Sequence, residues 1–294
     1  MREQLIHIRE KPLPKPDWIR VKLPTTQQYS ELKNLLRKSN LHTVCEEAAC
    51  PNIYECFSRN VATFMIMGDT CTRYCHYCHV KTGKPQALDA TEPQHLADAI
   101  SALGLQYVVI TCVTRDDLTD GGAAHFVSCI NAIRAKVPSC TIEVLTSDFS
   151  YNDTALTCVV AAMPDVFSHN IEAPRRIYRQ VRKKGKYEES LRLLYLIKEI
   201  NPSTNTKSGF MLGLGETEEE ILEVMADLRM AGCDFLTIGQ YLQPTAKHAP
   251  VSKFYHPSEF EKFVSFGEEL GFLHVEAGPL VRSSYRADRL NTLL

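Results

Sequence analysis

Residues 64–78 read FMIMGDTCTRYCHYC: an apolar run is followed at once by three cysteines, Cys71, Cys75 and Cys78. The run predicts a buried β-strand, which places the cysteines on the loop after its carboxyl end. Three thiols at this Cx3Cx2C spacing are one ligand short of a closed zinc site. They suit an iron–sulfur cube held at three irons, whose fourth iron stays open to a ligand from outside the protein. A zinc knuckle is the alternative interpretation of this motif.

Similar apolar runs recur along the chain and predict an α/β fold. Five runs follow the first, separated by helix-like segments: YVVIT (107–111), TIEVL (141–145), DVFSHNIE (165–172), SGFMLGLG (208–215) and FLTIGQYL (235–242). Near-continuous apolar strands with such crossovers are typical of a parallel sheet covered on both faces. Six βα units predict either an incomplete barrel or a doubly wound sheet, with the active site at the carboxyl ends of the strands.

Two helix starts and one helix end are marked by their capping residues. Thr217, with Glu220 three residues later, fits the capping box at a helix start. Ser258 and Glu261 repeat the same pattern. Gly271 suits the C′ position at the end of this second helix, because glycine adopts the left-handed backbone conformation without steric cost.

The composition is that of an ordinary globular protein. The chain has 294 residues, 44% of them hydrophobic, and a net charge of -2, so no global charge signature points to nucleic acid or a membrane. The charged N-terminus has no apolar stretch of signal-peptide length, and no segment reaches the roughly 18 apolar residues of a membrane span. We expect a soluble, cytoplasmic chain. A mature organelle protein, from the stroma or matrix, is the alternative if a transit peptide was removed.

The cysteine count favours metal or redox chemistry over disulfide bonds. Eleven cysteines are an odd number in a chain without an export signal, and six of them fall between Cys45 and Cys78. The other five lie among apolar residues and are expected to be small core side chains. These five are Cys112, Cys129, Cys140, Cys158 and Cys233.

A second trio, Cys45, Cys50 and Cys56, precedes the first strand in CEEAACPNIYEC with the spacing Cx4Cx5C. This trio is too close to the first in sequence to be unrelated. It also has too many ligands to share one site with the first, so it implies a second cluster. Zinc is the alternative here, since a three-cysteine site could recruit a distant histidine.

The CTRYCHYC motif resembles the signature of the radical S-adenosylmethionine (SAM) superfamily, and the combination of both trios resembles lipoyl synthase in particular. Further stretches match that family in order along nearly the whole chain: KPDWIRVKLP, RDDLTDGGA, HNIE, TKSGFMLGLGE, LTIGQYLQPT and GPLVRSSYRA. The sequence departs from the commonest family pattern at Tyr74, His76 and His79. These positions lie between or beside the cysteines, so the departures bear on the tuning of the cluster's properties and not on cluster binding.

The resemblance implies a fold and a division of the chain. The fold is a partial (βα)6 TIM-like barrel of the radical SAM type with N-terminal and C-terminal extensions. Residues 1–60 form an N-terminal arm that carries the auxiliary-cluster cysteines and one short helix around residues 29–39. Residues 61–257 form the barrel core, and residues 258–294 form a C-terminal helix and a segment with the Arg-Ser-Ser-Tyr motif.

The resemblance also implies the reaction and its cofactors, SAM and two [4Fe–4S] clusters. Two sulfur atoms are inserted at C6 and C8 of a protein-bound octanoyl-lysine to form the lipoyl cofactor. Cys71, Cys75 and Cys78 hold the radical-generating cluster. Cys45, Cys50 and Cys56 hold the auxiliary cluster that donates sulfur. The serine ligand of that auxiliary cluster is Ser284, with Ser283 as the fallback.

Several further residues are expected to contact SAM or substrate. Gly121 and Gly122 follow the second strand, where the backbone could approach SAM; a loop-to-helix turn is the alternative. The glycine-rich GLGET turn, which includes Gly213, follows the fifth strand and is not a phosphate-binding fingerprint. The remaining expected contacts lie at two strand ends: Asn170 and Glu172 beside His169, and Gln240 with Gln243.

The expected partners follow from the family. They are an octanoylated lipoyl carrier domain or H-protein-like substrate, a low-potential electron donor such as ferredoxin or flavodoxin, and an iron–sulfur carrier protein. The stretch RRIYRQVRKKGK (175–186) carries seven positive charges, which fit either a solvated helix face or a docking site for an acidic carrier. No nucleic-acid or membrane partner is expected.

Two other functions are compatible with the cysteine pattern. One is a different radical SAM enzyme that resembles biotin synthase and takes sulfur from another type of cluster. The other is a non-catalytic zinc-binding interaction module in which the six cysteines are structural.

Overall fold

The computed structural model describes residues 13–20, 27–58 and 62–294. Much of the predicted N-terminal arm, including residues 1–12, therefore lies outside the described residues. The strands are β1 (His42–Thr43), β2 (Thr63–Ile66), β3 (Tyr107–Cys112), β4 (Thr141–Leu145), β5 (Val166–Ser168), β6 (Asn205–Leu212), β7 (Phe235–Gln240) and β8 (His274–Gly278).

The helices follow the predicted strand and helix alternation. The N-terminal helices are α1 (Gln27–Lys38), α2 (Val44–Glu47) and α3 (Ile53–Ser58). The helices that connect parallel strands are α4 (Glu92–Leu103), α5 (Ala123–Lys136), α6 (Asp153–Ala161), α7 (Arg175–Val181), α8 (Tyr187–Ile200), α9 (Glu218–Met230) and α10 (Pro257–Glu269). Two short 3-10 turns, Phe149–Tyr151 and Ala287–Thr292, complete the assignment.

All eight strands form one sheet in chain order, β1 to β8. Strands β2 to β8 are parallel, and β1 pairs antiparallel with β2 at one edge. Six helical crossovers connect the seven parallel strands, which is the arrangement of a partial TIM-like barrel. The predicted α/β fold with six βα units is therefore confirmed.

Two strands were not predicted, and the limits of several others differ from the predicted runs, such as β6 at 205–212 instead of 208–215. Strand β1 has only two residues, too few to show a period, and β8 (HVEAG) carries a histidine and a glutamate at the sheet edge. Strand β5 is shorter than the predicted 165–172, because the chain leaves the sheet after Ser168. Strand β8 belongs to the same sheet, so the sheet continues past residue 257, where the sequence analysis ended the core.

The central strands are buried because helices cover the sheet. Every residue of β2 and β7 is buried, which explains why these runs are apolar without alternation. Ile110 of β3 and Val144 of β4 are fully buried. Each such side chain stabilises the fold by about 1.5–3 kcal/mol relative to an exposed position.

The helix boundaries agree with the sequence at α9 and differ at the start of α10. Thr217 and Glu220 form the predicted capping box. The second predicted start was wrong: α10 begins at Pro257, and the His256 side chain accepts the N–H of Ser258. Proline at the first helical position has the required φ and needs no hydrogen-bond acceptor, so the N-cap is His256 and the helix starts two residues earlier than predicted.

The end of α10 has the predicted glycine cap. Gly271 has φ +85°, and its N–H donates to the Glu268 carbonyl. The N–H of Phe272 donates to the Gly267 carbonyl, which completes a Schellman motif.

Among the helices that the structure describes, none is long and apolar enough to cross a membrane.

Candidate active site

A cavity of about 620 Å³ opens at the carboxyl ends of the parallel strands. Its walls include both cysteine trios, the strand ends of β3, β4 and β7, and the Arg-Ser-Ser-Tyr motif of the C-terminal segment. Active sites of barrel folds lie at this end of the strands. The six cysteines that line the cavity are Cys45, Cys50, Cys56, Cys71, Cys75 and Cys78.

The first cysteine loop (residues 71–78) is fixed to the barrel by backbone hydrogen bonds. The N–H of Cys71 donates to the Lys81 carbonyl at 2.8 Å, and the N–H of His76 donates to the Val181 carbonyl at 2.8 Å. The Cys78 carbonyl lies 3.0 Å from Nε2 of His248. These contacts come from three separate parts of the barrel, so the loop has little freedom to move.

A buried guanidinium in the middle of the first cysteine loop strengthens this attachment. Arg73 donates to both oxygens of Asp148 at 2.5 and 2.7 Å and to Asp116 at 2.7–3.1 Å. Asp116 follows β3 and Asp148 follows β4, so Arg73 joins the loop to two strand ends. Although burial opposes ionisation, Arg73 lowers the pKa of Asp116 to about 2.

The second cysteine segment (residues 45–56) contains α2 and the start of α3. Thr43 caps α2 by accepting the N–H of Glu46, which orients the buried Cys45. The N–H of Cys50 donates to the Cys45 carbonyl, and the N–H of Cys56 donates to the Asn52 carbonyl. These bonds are local to the segment, and its attachment to the rest of the molecule comes from elsewhere.

Part of that attachment comes from α1, where Tyr29 contacts Tyr54, and part comes from the C-terminal segment. Nδ2 of Asn52 donates to the Leu280 carbonyl at 2.6 Å. The Tyr285 hydroxyl donates to the Glu55 carboxylate at 3.2 Å. The far end of the chain therefore returns to the second cysteine segment, across a sequence separation of more than 200 residues.

The two serines of the Arg-Ser-Ser-Tyr motif differ in their contacts. Oγ of Ser283 accepts a hydrogen bond from Nδ2 of Asn170 at 2.7 Å. The Ser284 side chain lines the cavity and makes no hydrogen bond with another described residue. The Ser284 hydroxyl can therefore bind another partner, whereas the Ser283 hydroxyl already accepts a hydrogen bond from Asn170.

Burial disfavours the thiolate form of Cys45 and Cys78. It raises the pKa of Cys45 to about 12, with a further contribution from Cys50. Burial likewise raises the pKa of Cys78 to about 12, reinforced by Cys75 and Cys71. Thiols within each trio therefore interact with one another, and metal binding must release protons from them.

Glu172 faces the cavity from the end of β5. It has φ +68°, a left-handed conformation that costs free energy in a non-glycine residue and is over-represented at functional sites. Burial raises the pKa of its carboxyl group, and the nearby Arg182 guanidinium opposes this effect. Asn170, two residues earlier, connects this wall to Ser283. Both residues thus lie where a cofactor contact was predicted.

The predicted glycine contacts lie away from the cavity wall. Gly122 has φ +93° at the start of α5, and a Cβ there would be 2.2 Å from the Met67 sulfur. A Cβ on Gly121 would be 2.9 Å from the Phe149 backbone. Gly213, with φ +101°, packs against Gln240. Close packing of the backbone explains each of these glycines, and none of them lines the cavity.

Gln240 lies at the cavity wall, but its side chain is already engaged. Its Nε2 donates to the carbonyls of Leu212, Tyr241 and Lys253, and its Oε1 accepts the Tyr255 N–H. The carboxamide is fully buried and holds the end of β7 in place. Gln240 therefore stabilises the cavity wall through these hydrogen bonds.

Some expectations about cysteines and cations require correction. Cys129, Cys140 and Cys233 are buried as expected, whereas Cys158 is exposed and Cys112 is half-buried at the cavity wall. Sequence reasoning also missed two buried cations of the site, Arg73 and Arg182. A charged residue inside a cysteine motif was an available signal for Arg73, because an internal loop charge needs a partner.

Two family models match the chain. The Radical SAM superfamily model matches residues 65–228, and the N-terminal domain of lipoyl synthase of the Radical SAM family matches residues 2–50. A lipoyl synthase from Syntrophotalea carbinolica is 57% identical over 94% of this chain and 90% of its own length. The chain belongs to the lipoyl synthase family. A lipoyl synthase from Shouchella clausii is 53% identical over 95% of this chain and 91% of its own.

Solved structures with little sequence identity share the fold. Methylornithine synthase superposes with a TM-score of 0.55 at 11% identity, covering 86% of this chain and 82% of that one. Streptococcus suis SuiB bound to S-adenosylmethionine has a TM-score of 0.57 at 9% identity, covering 78% and 54%. At these identities, the likeness concerns the fold alone.

Family membership establishes the activity and cofactors. The chain is a radical SAM sulfurtransferase that inserts two sulfur atoms into a protein-bound octanoyl-lysine to form the lipoyl cofactor. It uses SAM and two [4Fe–4S] clusters, and it requires a reductant. The sulfur comes from its auxiliary cluster.

The residues of the cavity fit these cofactors. Two trios of thiols supply the soft ligands that iron–sulfur cubes require, in a cavity large enough for a cofactor. Among the described residues, no three His, Cys, Asp or Glu side chains are arranged to hold a single metal ion. A four-iron cube differs from such an ion because each thiolate binds a different iron.

Proposed function

We propose that the two trios divide the reaction between them. Cys71, Cys75 and Cys78 hold the radical-generating cluster, and the second cysteine segment holds the sulfur-donating cluster through Cys45, Cys50 and Cys56. The observation that supports this division is the shared cavity, in which the trios come from different parts of the chain.

Ser284 is the proposed fourth ligand of the donor cluster. Its side chain lines the same cavity as the second trio, and its hydroxyl makes no hydrogen bond within the described part of the chain. An oxygen ligand is harder than a thiolate and is a weaker match for a sulfide cage. This difference suits a cluster that must open to release sulfur.

The chain itself binds, orients and shields the reactants. When bound and reduced, the first cluster together with SAM supplies a 5′-deoxyadenosyl radical that removes hydrogen from unactivated carbons. Asn170 and Glu172 are the SAM or substrate contacts that we retain, since both lie on the cavity wall. The hydrogen bonds of the first cysteine loop hold its three thiols in place against the barrel.

The finer partner and location assignments are also proposals. The carrier is an octanoylated lipoyl domain or an H-protein-like protein, the reductant is ferredoxin or flavodoxin, and an iron–sulfur carrier protein restores the donor cluster. We propose a cytoplasmic location. The functional division of the chain is a donor-cluster arm (1–60), a barrel core (61–257) and a closing C-terminal segment (258–294).

Anaerobic reconstitution with iron and sulfide tests the division of roles. The protein should bind about eight irons per chain, four for each cube. With SAM, dithionite and an octanoyl-lysyl peptide, mass spectrometry should detect 5′-deoxyadenosine and a product with two added sulfurs. Four irons with SAM cleavage and no sulfur transfer would contradict the proposed role of the second trio.

Two cysteine variants separate the clusters. Cys75→Ala should abolish SAM cleavage, whereas Cys50→Ala should retain SAM cleavage and lose sulfur insertion. The two replacements remove the same atoms from half-buried positions, so they are matched controls for each other. Equal loss of SAM cleavage in both, with each variant folded and loaded at its remaining cluster, would exclude the proposed division.

A further inference from the structure

The first cysteine loop has an inner side and an outer side. Cys71, Arg73, Cys75, Tyr77 and Cys78 line the cavity, whereas Thr72, Tyr74 and His76 do not. The Tyr74 side chain is 49% exposed. The loop therefore separates the proposed radical-generating site from solvent by a single layer of chain.

The outer side of the loop adjoins the carboxyl end of α7. The His76 N–H donates to the carbonyl of Val181, the last residue of α7. The Tyr74 ring contacts the His76 ring edge-on, with 5.4 Å between centroids. Lys183 follows Val181 by two residues and is exposed. An exposed aromatic residue and an exposed cation thus lie together beside the cysteines.

Only part of the basic stretch 175–186 is neutralised. Arg176 pairs with Glu220 at 2.6 Å and Arg175 with Asp227 at 3.1 Å, so the charges at the start of α7 are matched. At the other end of α7, the exposed Arg179 and Lys183 have no ion pair with any residue that the structure describes.

The other charges near this end do not cancel the unmatched cations. Lys184 pairs with Asp116 at 3.3 Å, and that carboxylate also accepts from the buried Arg73. Arg182 is buried beneath the surface, 3.5 Å from Asp148. The excess positive charge is therefore concentrated beside the outer side of the first cysteine loop.

We infer that Arg179, Lys183 and Tyr74 form the docking surface for an acidic electron-carrier protein that reduces the radical-generating cluster. The inference rests on the proposed assignment of Cys71, Cys75 and Cys78 to that cluster. One electron passes from the reduced carrier to the cluster, so the carrier is oxidised by one electron. Complementary charge accelerates encounter between proteins.

The geometry favours an electron carrier over the octanoylated carrier at this surface. An octanoyl-lysyl arm must enter the cavity, and neither Tyr74 nor Lys183 lines it. An electron has no such requirement, because it needs only a short path through the loop. Cys75 lies between Tyr74 and His76 in sequence, so this surface offers such a path.

Stopped-flow reduction of the reconstituted enzyme by flavodoxin hydroquinone tests the inference. Lys183→Glu should slow reduction by about tenfold or more at low ionic strength, and the difference from the unaltered enzyme should shrink at high salt. Arg179→Glu should act in the same direction. Lys262→Glu, the same charge change on the exposed face of α10, should leave the rate unchanged.

Dithionite separates this inference from the proposed function. It is a small reductant, so dithionite-driven SAM cleavage should be equal in the unaltered enzyme and in Lys183→Glu. Equal slowing with dithionite, or no slowing with flavodoxin in either variant, would overturn the docking surface. Slower reaction of the octanoylated carrier with normal flavodoxin reduction would also overturn it. Absence of dithionite-driven SAM cleavage in the unaltered enzyme would instead contradict the cluster assignment.

Discussion

The two cysteine regions line one cavity but are held in different ways. The first cysteine loop is joined to strand ends and helices of the barrel by backbone bonds and by the buried Arg73. The second cysteine segment packs against α1, and hydrogen bonds from the far end of the chain, through Asn52 and Tyr285, close it on the other side. A rigidly held site suits a cluster that is used repeatedly. A site closed by a few separate hydrogen bonds suits a cluster that is dismantled and rebuilt.

The largest expected effect concerns the ligand that completes the second region. Ser284→Ala should lower sulfur insertion by more than the roughly 10–100-fold typical of lost outer-shell contacts, because a ligand itself is removed. SAM cleavage should persist. Ser283→Ala is the matched control and should cost about tenfold at most, since it removes only the Asn170 contact. A larger loss in Ser283→Ala, measured by mass spectrometry of the product, would reverse the assignment.

The rigidity of the first region can be measured through Arg73. Arg73→Met removes the two-bond partner of the buried Asp148, which keeps only the more distant Arg182, and should lower the free energy of unfolding by about 3–5 kcal/mol. Arg192→Met removes an exposed pair with Asp153 and should cost less than about 1 kcal/mol. Urea denaturation of both variants measures the difference. Similar costs would show that the Arg73 network does not stabilise the loop.

Acid should weaken the barrel side of the cavity through His169. This side chain is buried between the Thr146 carbonyl and the Ser190 hydroxyl, and burial lowers its pKa to about 4. The unfolded chain takes up a proton near pH 6.5, so it binds more protons than the folded chain between pH 6.5 and pH 4. Stability is therefore lost as the pH falls through this window, by about 2 kcal/mol between pH 7 and pH 5.

Urea denaturation at several pH values checks the effect of His169. His169→Gln should flatten the dependence of the unfolding free energy on pH within that window. An unchanged dependence would mean that other groups cause the acid sensitivity. This pH window is distinct from the one in which Asp116 takes up a proton. Because the pKa of Asp116 is about 2 in the folded chain, its contribution to stability is lost only at lower pH.

The smallest expected effect concerns the closing contact of the second region. Tyr285→Phe removes the hydroxyl that donates to Glu55, at a cost of about 1 kcal/mol. Iron loss from the donor cluster to a chelator should become about fivefold faster, while the other cluster is unaffected. Equal acceleration at both clusters would contradict the separate attachment of the two regions.

The parts of the site that could be predicted from sequence have local patterns. Both cysteine spacings and the Arg-Ser-Ser-Tyr motif are short, and each of the six predicted strands is an apolar run. The predictions for Gly121, Gly122 and Gly213 placed each glycine on the correct kind of loop. They did not anticipate that Met67, Phe149 and Gln240 would pack against these glycines.

The sequence by itself determined the α/β fold with six βα units and the two cysteine trios, because periodicity and ligand spacing are properties of neighbouring residues. Only the tertiary structure decided that Arg73 is buried between two aspartates and that Asn170 contacts Ser283 rather than Ser284. It also showed that Asn52 meets the Leu280 carbonyl. Such contacts join residues 43 to 228 positions apart, and their geometry follows from the path of the whole chain.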